Sequence, residues 1–488
     1  MEKTNGLHLY VDVLNMEEII RGEEEANDEL KRSIHRLHTY YTGLTKAVKH
    51  FGGDIEKFTV GRAHIFIEQL EEEDDETFYM RVLDLVVACF SYCYDVFNEI
   101  GKYSQYTKFK LRAGLDCGEF YKYEITAMDE FTTIGGVANI AAKLTGYAGN
   151  KKIYLTYDAR QKLPKEERDK FGLLDSDELA EIQARLKGNP VIYSAEYTSL
   201  SKSDKVIKLM ETLEEECDEV ANQINLSEMK FEDSRSKIDF GRLSRTKNKQ
   251  IEAGIFYADI RGFTKLFNVS GNNLDNLSVV LEKIYEEMNE ATNGQDGVRV
   301  QFQGDRIVAV FNTFNGEEKF DVVRMFEAAL ILKDKIAEVN TLYNGYLGGK
   351  EVKIGIGLCH GEYYATRLGR RNYMDNIVLG STANKGSIAE DRYADDGEIA
   401  VAKGFKERIY SLKDDSLECQ VIADCLSAIN STGYYKTSID YQDYLAKIEE
   451  QKQENEKAKL LSIGILKATG TEALYGKERN IRPYGKPV

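Results

Sequence analysis

The sequence predicts an α/β (α+β) protein built from two tandem domains with the same fold. The first observation is an internal repeat, since KFKLRAGLDCGEFYKYEI at 108–125 matches EVKIGIGLCHGEYYATRL at 351–368. The second is that each copy alternates strand-like and helix-like segments, beginning with the apolar strands LHLYVDV and GIFYADI. Interleaved strands and helices are typical of a sheet flanked by helices, so each copy should contain one mixed, mainly antiparallel sheet.

The repeat divides the chain into four predicted regions. The first domain should span 1–199 and the second 249–412, joined by a charged helical linker over 200–248 that is rich in Lys, Glu, Asp and Ser. A charged helix and a polar tail should then form a C-terminal extension over 413–488.

Composition narrows the classes of function. The 488 residues carry a formal net charge of −17, which argues against a nucleic-acid surface because phosphate contacts need clustered Lys and Arg. The most apolar run, 82–97, is too short for a membrane span and is interrupted by Asp84 and Asp95. The segment MEKTNGLHLYVDV lacks the pattern of a signal peptide, and seven cysteines without close pairs favour reduced thiols. We therefore expect a cytoplasmic protein that binds neither nucleic acid nor a membrane.

Two acidic residues of the second copy predict a metal site. Asp259 ends an apolar strand, and Asp305 lies in a predicted hairpin turn. Carboxylates that meet at strand ends bind hard cations such as Mg²⁺ or Mn²⁺. Gly262 allows close backbone approach, so the N–H groups of Gly262, Phe263 and Thr264 should point at phosphate. A strand-end Asp that only makes a turn and caps a helix is the structural alternative.

These motifs resemble those of class III adenylyl and guanylyl cyclases. ADIRGFT is similar to the family element D-I-x-G-F-[ST], FQGDRIVAVF to I-G-D-x-x-[ML]-[AV]-V-F, and GIGLCHGE to G-[IV]-x-x-G. The resemblance covers about 1–198 and 251–411, with eroded motifs in the first copy. It implies two class III cyclase domains that pair as an intramolecular pseudo-heterodimer. It also implies an active site between them that converts a nucleoside triphosphate into a 3′,5′-cyclic nucleotide and diphosphate with two divalent cations, Mn²⁺ or Mg²⁺.

The resemblance assigns the metal positions to the second copy. That copy has both aspartates, Asp259 and Asp305, and the backbone carbonyl of Ile260 would be a further metal ligand. The first copy keeps Asp12, but Arg62 stands at its second position as we align the two copies. An arginine cannot bind a metal ion, so the first copy should not hold the metals.

The other half of the site is implied to come from the first copy. TTIGGVANIAAKL resembles the family pattern [DT]-x-x-G-x-x-x-N-x-A-x-[RK]-[LM], which places Thr132 in the base pocket, Asn139 at the ribose and Lys143 at the transition state. Residues four apart share a helix face. The second copy has Asn384 but carries Ile388 where a cation belongs. One site should therefore be competent and its counterpart inactive.

The resemblance also bears on phosphate binding and base choice. Arg371 stands where the family often has a phosphate-contacting Arg. The family recognises its purine three residues before the glycine of the second metal element, with Lys in adenylyl and Glu in guanylyl cyclases. The aligned residues are Phe58 and Gln301. Phe58 should face the competent site, and Lys57 should point to the opposite face of the sheet.

The chain has neither the Lys nor the Glu with which the family recognises a purine, and in this it is similar to the pyrimidine cyclases of bacterial antiphage (Pycsar) defence. We therefore expect a cytidylate or uridylate cyclase that uses CTP or UTP and signals to a cyclic-nucleotide-sensing effector protein. Three alternatives stay open. A one-residue shift that restores Lys57 would favour an adenylate cyclase with an atypical base pocket. An inactive nucleotide-binding regulatory protein is the second. A hydrolase is the third, with His360 near the site. The G-G-[DE]-E-F signature of diguanylate cyclases is absent. Pairing within one chain predicts a monomer and leaves further dimerisation open.

Overall fold

The computed structural model describes most of the chain. The described residues are 1–26, 30–126, 130–186, 190–233, 235–262, 274–370 and 373–468.

The first domain alternates strands and helices. Its described strands are β1 (Glu2–Val13), β2 (Asp54–Thr59), β3 (Arg62–Glu68), β4 (Leu111–Ile125), β5 (Glu130–Ile134), β6 (Lys152–Thr156), β7 (Gly172–Leu173) and β8 (Ile192–Glu196). Its described α-helices are α1 (Met16–Glu25), α2 (Lys31–His50), α3 (Asp75–Ser91), α4 (Gly136–Tyr147), α5 (Tyr157–Lys162), α6 (Lys165–Arg168) and α7 (Ser176–Arg185).

The second domain repeats this pattern after a connecting segment. The connection contains α8 (Asp204–Asn222) and β9 (Lys230–Asp233). The described strands that follow are β10 (Lys247–Arg261), β11 (Val298–Gln303), β12 (Arg306–Asn312), β13 (Lys353–Arg370), β14 (Tyr373–Leu379), β15 (Ile399–Ala402), β16 (Ser427–Ala428) and β17 (Tyr434–Thr437). The described helices are α9 (Leu274–Asn293), α10 (Asp321–Leu342), α11 (Asn384–Tyr393), α12 (Lys403–Leu412), α13 (Leu417–Cys425) and α14 (Tyr441–Ala468).

The two sheets have the same topology. The strand order is β2-β3-β1-β4-β6-β8-β7 in the first and β11-β12-β10-β13-β15-β17-β16 in the second, with β5 and β14 paired to β4 and β13. The contacts β4–β6 and β13–β15 are parallel, whereas the other pairings within each repeated unit are antiparallel. The predicted fold of two tandem, mixed and mainly antiparallel sheets is therefore confirmed.

The alternation of β1 decides which side chains face the site. Leu7, Leu9 and Val11 are buried in the core of the first domain. Tyr10 and Asp12 lie on the opposite face, because successive side chains of a strand point to opposite sides of the sheet. That face packs against α4, and it also carries polar groups that the second domain approaches.

One β-hairpin of each domain packs into the core of the other domain. The β4–β5 hairpin enters the core of the second domain through Tyr123, Ile125 and Ile134. The β13–β14 hairpin enters the core of the first through Leu368, Ile377 and Leu379. Because apolar burial is the main driving force for association, this exchange holds the two domains together as a pseudo-symmetric pair.

Two predicted boundaries need correction. Strands β16 and β17 belong to the second sheet, so the second domain continues past the end that we predicted at residue 412. Helix α8 is part of the predicted charged linker, but Val206, Leu209 and Leu213 pack into the core of the first domain. The predicted C-terminal helix is present as α14. No helix among the described residues is both long and apolar enough to cross a membrane.

Candidate active site

Asp259 and Asp305 meet at one end of the second sheet. Asp259 lies near the end of β10, where it pairs with Arg306 of β12, and Asp305 lies in the turn between β11 and β12. Both residues are half-buried. Burial raises the pKa of the Asp259 carboxyl, and burial together with the charge of Asp259 raises the pKa of Asp305 well above its usual range. Two adjacent carboxylates with raised pKa values form a site that favours added positive charge.

The donor set around this pair fits a hard divalent cation. Carboxylate and carbonyl oxygens are the ligands that Mg²⁺ and Mn²⁺ prefer, and Ile260 follows Asp259 directly in β10. In the described ranges, no group of three or more His, Cys, Asp or Glu side chains is arranged to hold a metal ion. Two carboxylates and one carbonyl would therefore leave coordination positions for phosphate and water oxygens, as substrate-binding magnesium sites do.

The backbone after β10 turns sharply at Gly262. Its φ angle is +74°, a left-handed conformation that glycine adopts without a steric penalty. A Cβ atom built there would meet no atom of the described residues within 4 Å, so this part of the structure leaves the backbone open for the close approach of a ligand. Phe263, Thr264 and Arg371, which we predicted to bind phosphate, lie outside the described residues.

A network of charged side chains surrounds Asp259. Arg261 reaches it through Nη1 at 3.6 Å and also contacts Oε1 of Glu390 at 2.7 Å. Arg306 contacts Oε2 of Glu390 at 3.5 Å and Oγ of Ser387 at 3.0 Å. Burial and the nearby charge of Asp259 raise the pKa of Glu390 to about 7. The two guanidinium groups thus offset part of the negative charge that gathers here.

Helix α4 of the first domain brings a cation to this acidic pair. Asn139 and Lys143 are both exposed on α4, one turn apart on one face, as their spacing predicts. The Lys143 ammonium is close enough to Asp259 to oppose the rise in the pKa of that carboxyl, together with Arg306 and Arg261. The charge of Lys143 on the first domain therefore acts on Asp259 of the second across the domain boundary.

In the first domain, two arginines neutralise the aspartate that corresponds to Asp259. Oδ2 of Asp12 lies 2.6 Å from Nη2 of Arg112 and 3.4 Å from Nη2 of Arg62. Burial acts to raise the pKa of Asp12, but the two guanidinium groups outweigh it and lower that pKa. Two fixed cations thus stand beside Asp12, and the turn between β2 and β3, Val60 and Gly61, has no carboxylate.

The sheet register corrects our alignment of the two hairpins by one residue. Arg62 pairs with Asp12, and Arg306 pairs with Asp259 in the same way. The residue of the first domain that corresponds to Asp305 is therefore Gly61 rather than Arg62. The inference that the first domain lacks the second metal carboxylate is unchanged, because glycine has no side chain.

The same shift reverses the orientation that we predicted for Phe58 and Lys57. Phe58 is fully buried in the core of the first domain, with its ring stacked on Tyr41 at 4.1 Å between centroids. Lys57 pairs with His64 of β3 and lies on the face toward the second domain, where its Nζ is 3.8 Å from Oδ1 of Asp375. The expectation that Phe58 lines the base pocket is thus wrong, since its ring fills the core.

Glu56 is a site residue that sequence reasoning missed. It is the extra residue at an irregularity in the β2–β3 ladder, between Ile55 and Lys57, and such a bulge redirects a side chain. Oε1 of Glu56 accepts a hydrogen bond from Oγ1 of Thr132 at 3.0 Å, and Oε2 accepts one from the backbone N–H of Thr133 at 3.1 Å. Burial opposes ionisation, but the neighbouring His64 and the bond from Thr133 lower the pKa of Glu56 to about 2. The predicted base-pocket residue Thr132 is buried and held by this carboxylate.

The comparisons with known proteins agree with this fold. Residues 246–425 match the family model described as the adenylate and guanylate cyclase catalytic domain. The second domain therefore resembles the catalytic domain of adenylate and guanylate cyclases, and the first domain repeats its fold.

Two relatives resemble the tandem arrangement as well. A protein described as uridylate cyclase from Pseudomonas aeruginosa is 23% identical over 392 residues, which cover 78% of this chain and 73% of that protein. The crystal structure of a class III adenylyl cyclase-like ATP-binding protein from Pseudomonas aeruginosa superposes with a TM-score of 0.68 at 20% identity. That match covers 91% of this chain and 90% of the other, so the likeness in fold extends over both domains.

Proposed function

We propose that this chain is a nucleotidyl cyclase that converts a pyrimidine nucleoside triphosphate into the 3′,5′-cyclic nucleotide and diphosphate. The observation that carries the proposal is the pair of carboxylates Asp259 and Asp305 at one end of the second sheet, with the first domain packed against it and the charge of Lys143 acting on Asp259. The first domain lacks a second carboxylate, and the second domain has Ile388 in place of a cation. One complete set of groups therefore exists only where the two domains meet.

Different residues of this chain would have separate roles in this reaction. Asp259, Asp305 and the carbonyl of Ile260 would hold two divalent cations, Mn²⁺ or Mg²⁺, which would neutralise the phosphates and make the 3′-hydroxyl more acidic. The Lys143 ammonium would stabilise the charge that develops on the α-phosphate. Asn139, one turn earlier on the same face of α4, would orient the ribose so that its 3′-oxygen faces that phosphorus.

The backbone after β10 completes the phosphate half of the site. Gly262 is exposed and its surroundings are open, so its N–H can face a triphosphate oxygen. Phe263, Thr264 and Arg371 keep the phosphate-binding roles that their motifs predict.

The description of one relative as uridylate cyclase supports a pyrimidine base and favours UTP over CTP as the substrate. The carboxylate of Glu56 accepts hydrogen bonds and donates none at neutral pH, and the hydroxyl of Thr132, whose hydrogen is donated to Glu56, can only accept a further bond. A cyclic pyrimidine nucleotide would then act as a second messenger for an effector protein in antiphage defence, in keeping with the cyclases that the sequence resembles.

A second candidate function, adenylate cyclase, is favoured by one observation. Lys57 corresponds by sheet register to Gln301, because both stand two residues before the end of the first hairpin strand. Lys at that position is the family's adenine-recognising residue. In this chain, however, the Lys57 ammonium is near two carboxylates, Oδ1 of Asp375 at 3.8 Å and Oε2 of Glu130 at 3.5 Å.

One assay separates these functions. The purified full-length chain is incubated with ATP, GTP, CTP and UTP separately in the presence of Mn²⁺, and the products are resolved by mass. We expect cyclic UMP or cyclic CMP as the main product and none from the Asp305→Asn variant. Cyclic AMP as the main product would establish the second candidate. Tight nucleotide binding without any cyclic product would indicate a regulatory protein and overturn the cyclase proposal.

A further inference from the structure

Tyr10 occupies a central position on the site face of the first domain. It lies on β1 between His64 of β3 and Gly114 of β4. Its ring stacks on the His64 imidazole, with centroids 4.2 Å apart and planes 11° from parallel. Its backbone carbonyl accepts a hydrogen bond from Oγ1 of Thr145 at 3.4 Å, so Tyr10 lies beneath α4, the helix that carries Lys143.

The imidazole under the Tyr10 ring is itself fixed. Nε2 of His64 is 2.8 Å from Nδ1 of His8, and Nδ1 of His64 is 3.4 Å from Oε2 of Glu56. Burial lowers the pKa of His8 to about 3, so that ring stays neutral and donates one hydrogen bond at most to its neighbour. Glu56 is held in turn by Thr132. The Tyr10 ring therefore rests on a rigid, hydrogen-bonded support, as a preorganised binding surface requires.

Charged groups of both domains act on the Tyr10 hydroxyl. Burial raises its pKa above the ordinary value, and the charges that act on it come from Glu56 and Arg62 of the first domain and from Arg306 and Asp305 of the second. The phenol thus keeps its proton at neutral pH. The residue is half-buried, and across the described ranges we find no hydrogen-bond partner for the hydroxyl.

We propose that Tyr10 is a specificity-determining residue of the shared site, whose ring forms one wall of the base pocket and whose hydroxyl donates a hydrogen bond to a carbonyl oxygen of the base. This inference rests on the proposed function. Uracil and cytosine both have a carbonyl at C2, whereas adenine has none, so a fixed donor favours the pyrimidines over adenine. A site built to hydrogen-bond a polar group discriminates against the base that lacks it.

Binding without turnover tests this role directly. The 3′-deoxynucleoside triphosphates of the four bases lack the attacking hydroxyl, so they cannot be cyclised. Their affinities are measured by calorimetry with Mn²⁺ for the wild type and for Tyr10→Phe, and Tyr157→Phe serves as the control because Tyr157 is an exposed tyrosine of α5. We expect the wild type to bind a pyrimidine analogue more tightly than the adenosine analogue. Tyr10→Phe should weaken pyrimidine binding about 3- to 10-fold, with 3′-deoxy-ATP binding unchanged.

The kinetic constants separate recognition from structural damage. Tyr10→Phe should raise the KM for the preferred triphosphate by a similar factor and leave kcat within about twofold, because the hydrogen bond is made equally in the ground and transition states. Equal affinities in the wild type and Tyr10→Phe, or a parallel loss for all four analogues, would overturn the role of the hydroxyl. If the wild type binds pyrimidine analogues but forms no cyclic product, the proposed cyclase function is contradicted and the binding role of Tyr10 is not.

Discussion

Nη2 of Arg112 lies 2.6 Å from Oδ2 of Asp12 in the first domain, at the position where the second domain has Asp259 opposite Gly355. Gly355 has no side chain, and the guanidinium of Arg261 fills that space, with its Nη1 3.6 Å from Oδ2 of Asp259. The aspartate at this strand position has two guanidinium groups within 3.4 Å in the first domain, whereas in the second domain its contact with Arg261 is longer and a second carboxylate, Asp305, lies beside it. This difference supports the proposal that the second domain, rather than the first, binds the cations.

Removing Arg112 should destabilise the first domain. Asp12 is only 7% exposed, and Arg112→Ala would leave its carboxylate with Arg62 alone. Breaking one side of a largely buried ion pair is strongly unfavourable. We expect a loss of about 2 kcal/mol in the free energy of unfolding, less than for a fully buried pair because Arg62 remains. Urea unfolding of the variant measures this, with Lys110→Ala, an exposed residue two positions earlier, as the control. Unchanged stability of Arg112→Ala would contradict the account.

The same ion pair predicts an acid dependence. The folded-state pKa of Asp12 is lowered relative to about 3.9 in the unfolded chain. The stabilisation is therefore fully present above about pH 4 and is lost as the pH falls through the folded-state pKa. Unfolding free energies measured at a series of acidic pH values should fall less steeply for Arg112→Ala than for the wild type. Parallel curves would show that Asp12 is not stabilised by Arg112.

Asp305→Asn should separate activity from stability. The carboxyl of Asp305 has a raised pKa because it is buried beside Asp259, so its charged form destabilises the metal-free fold above its unfolded-state pKa. The amide should therefore raise the thermal midpoint in the absence of metal. Turnover should drop by at least about a thousandfold, since the charge stabilisation by the cations is lost. Asp414→Asn, on an exposed carboxylate, should change neither quantity. Full activity of Asp305→Asn would contradict the assignment of Asp305 as a metal ligand.

Much of the architecture could be predicted because the repeat is visible in the sequence. Strand periodicity locates β1 and β10, and the motif around Asp259 and Asp305 locates the acidic pair. The short strands β16 and β17 carry little apolar pattern, so the second domain was predicted to end too early. A two-residue strand such as Ser427–Ala428 is held by its neighbours rather than by its own sequence.

The side chains that line the base pocket could not be predicted from the sequence. Successive side chains of a strand point to opposite faces of the sheet, so an alignment error of one residue assigns them to the wrong face. Aligning Gly61 with Gly304 appears natural, yet Gly61 is the second residue of its turn and Gly304 is the first. A shift of one residue moves each side chain to the other face of the sheet, which is why Phe58 and Lys57 were exchanged. The bulge at Glu56 interrupts the alternation further, so nothing in the pattern marked that carboxylate.

The asymmetry of the two half-sites predicts unequal effects of matched substitutions. Lys143→Ala removes a cation that faces Asp259, and we expect turnover to fall by about a hundredfold or more. Lys143→Arg should restore part of it because the charge remains. Ile388→Ala, at the equivalent position of the second domain, should change turnover less than about threefold and affect packing alone. Steady-state kinetics of the three variants provide the test, and equal losses for Lys143→Ala and Ile388→Ala would mean that the half-sites are assigned wrongly.

The last prediction concerns Lys57, whose ammonium lies between Asp375 of the second domain and Glu130. If its role is to link the domains, Lys57→Ala and Asp375→Asn remove the same contact from its two sides and should act alike. Both should lower turnover severalfold by loosening the shared site, and both should leave the preference for UTP or CTP over ATP within about twofold, because the interaction is made between protein groups.

The comparison of the two variants decides between the candidate substrates. Asp375→Asn keeps the Lys57 ammonium, and its amide oxygen can still accept the hydrogen bond from the backbone N–H of Phe58 that now measures 2.8 Å. Competition assays with mixed triphosphates measure base preference in each variant. If Lys57→Ala alone changes the preference, and the change is a loss of ATP use, then Lys57 contacts the base and the chain is an adenylate cyclase. If the two variants behave alike, Lys57 acts as an interdomain link and base choice depends on other groups of the pocket.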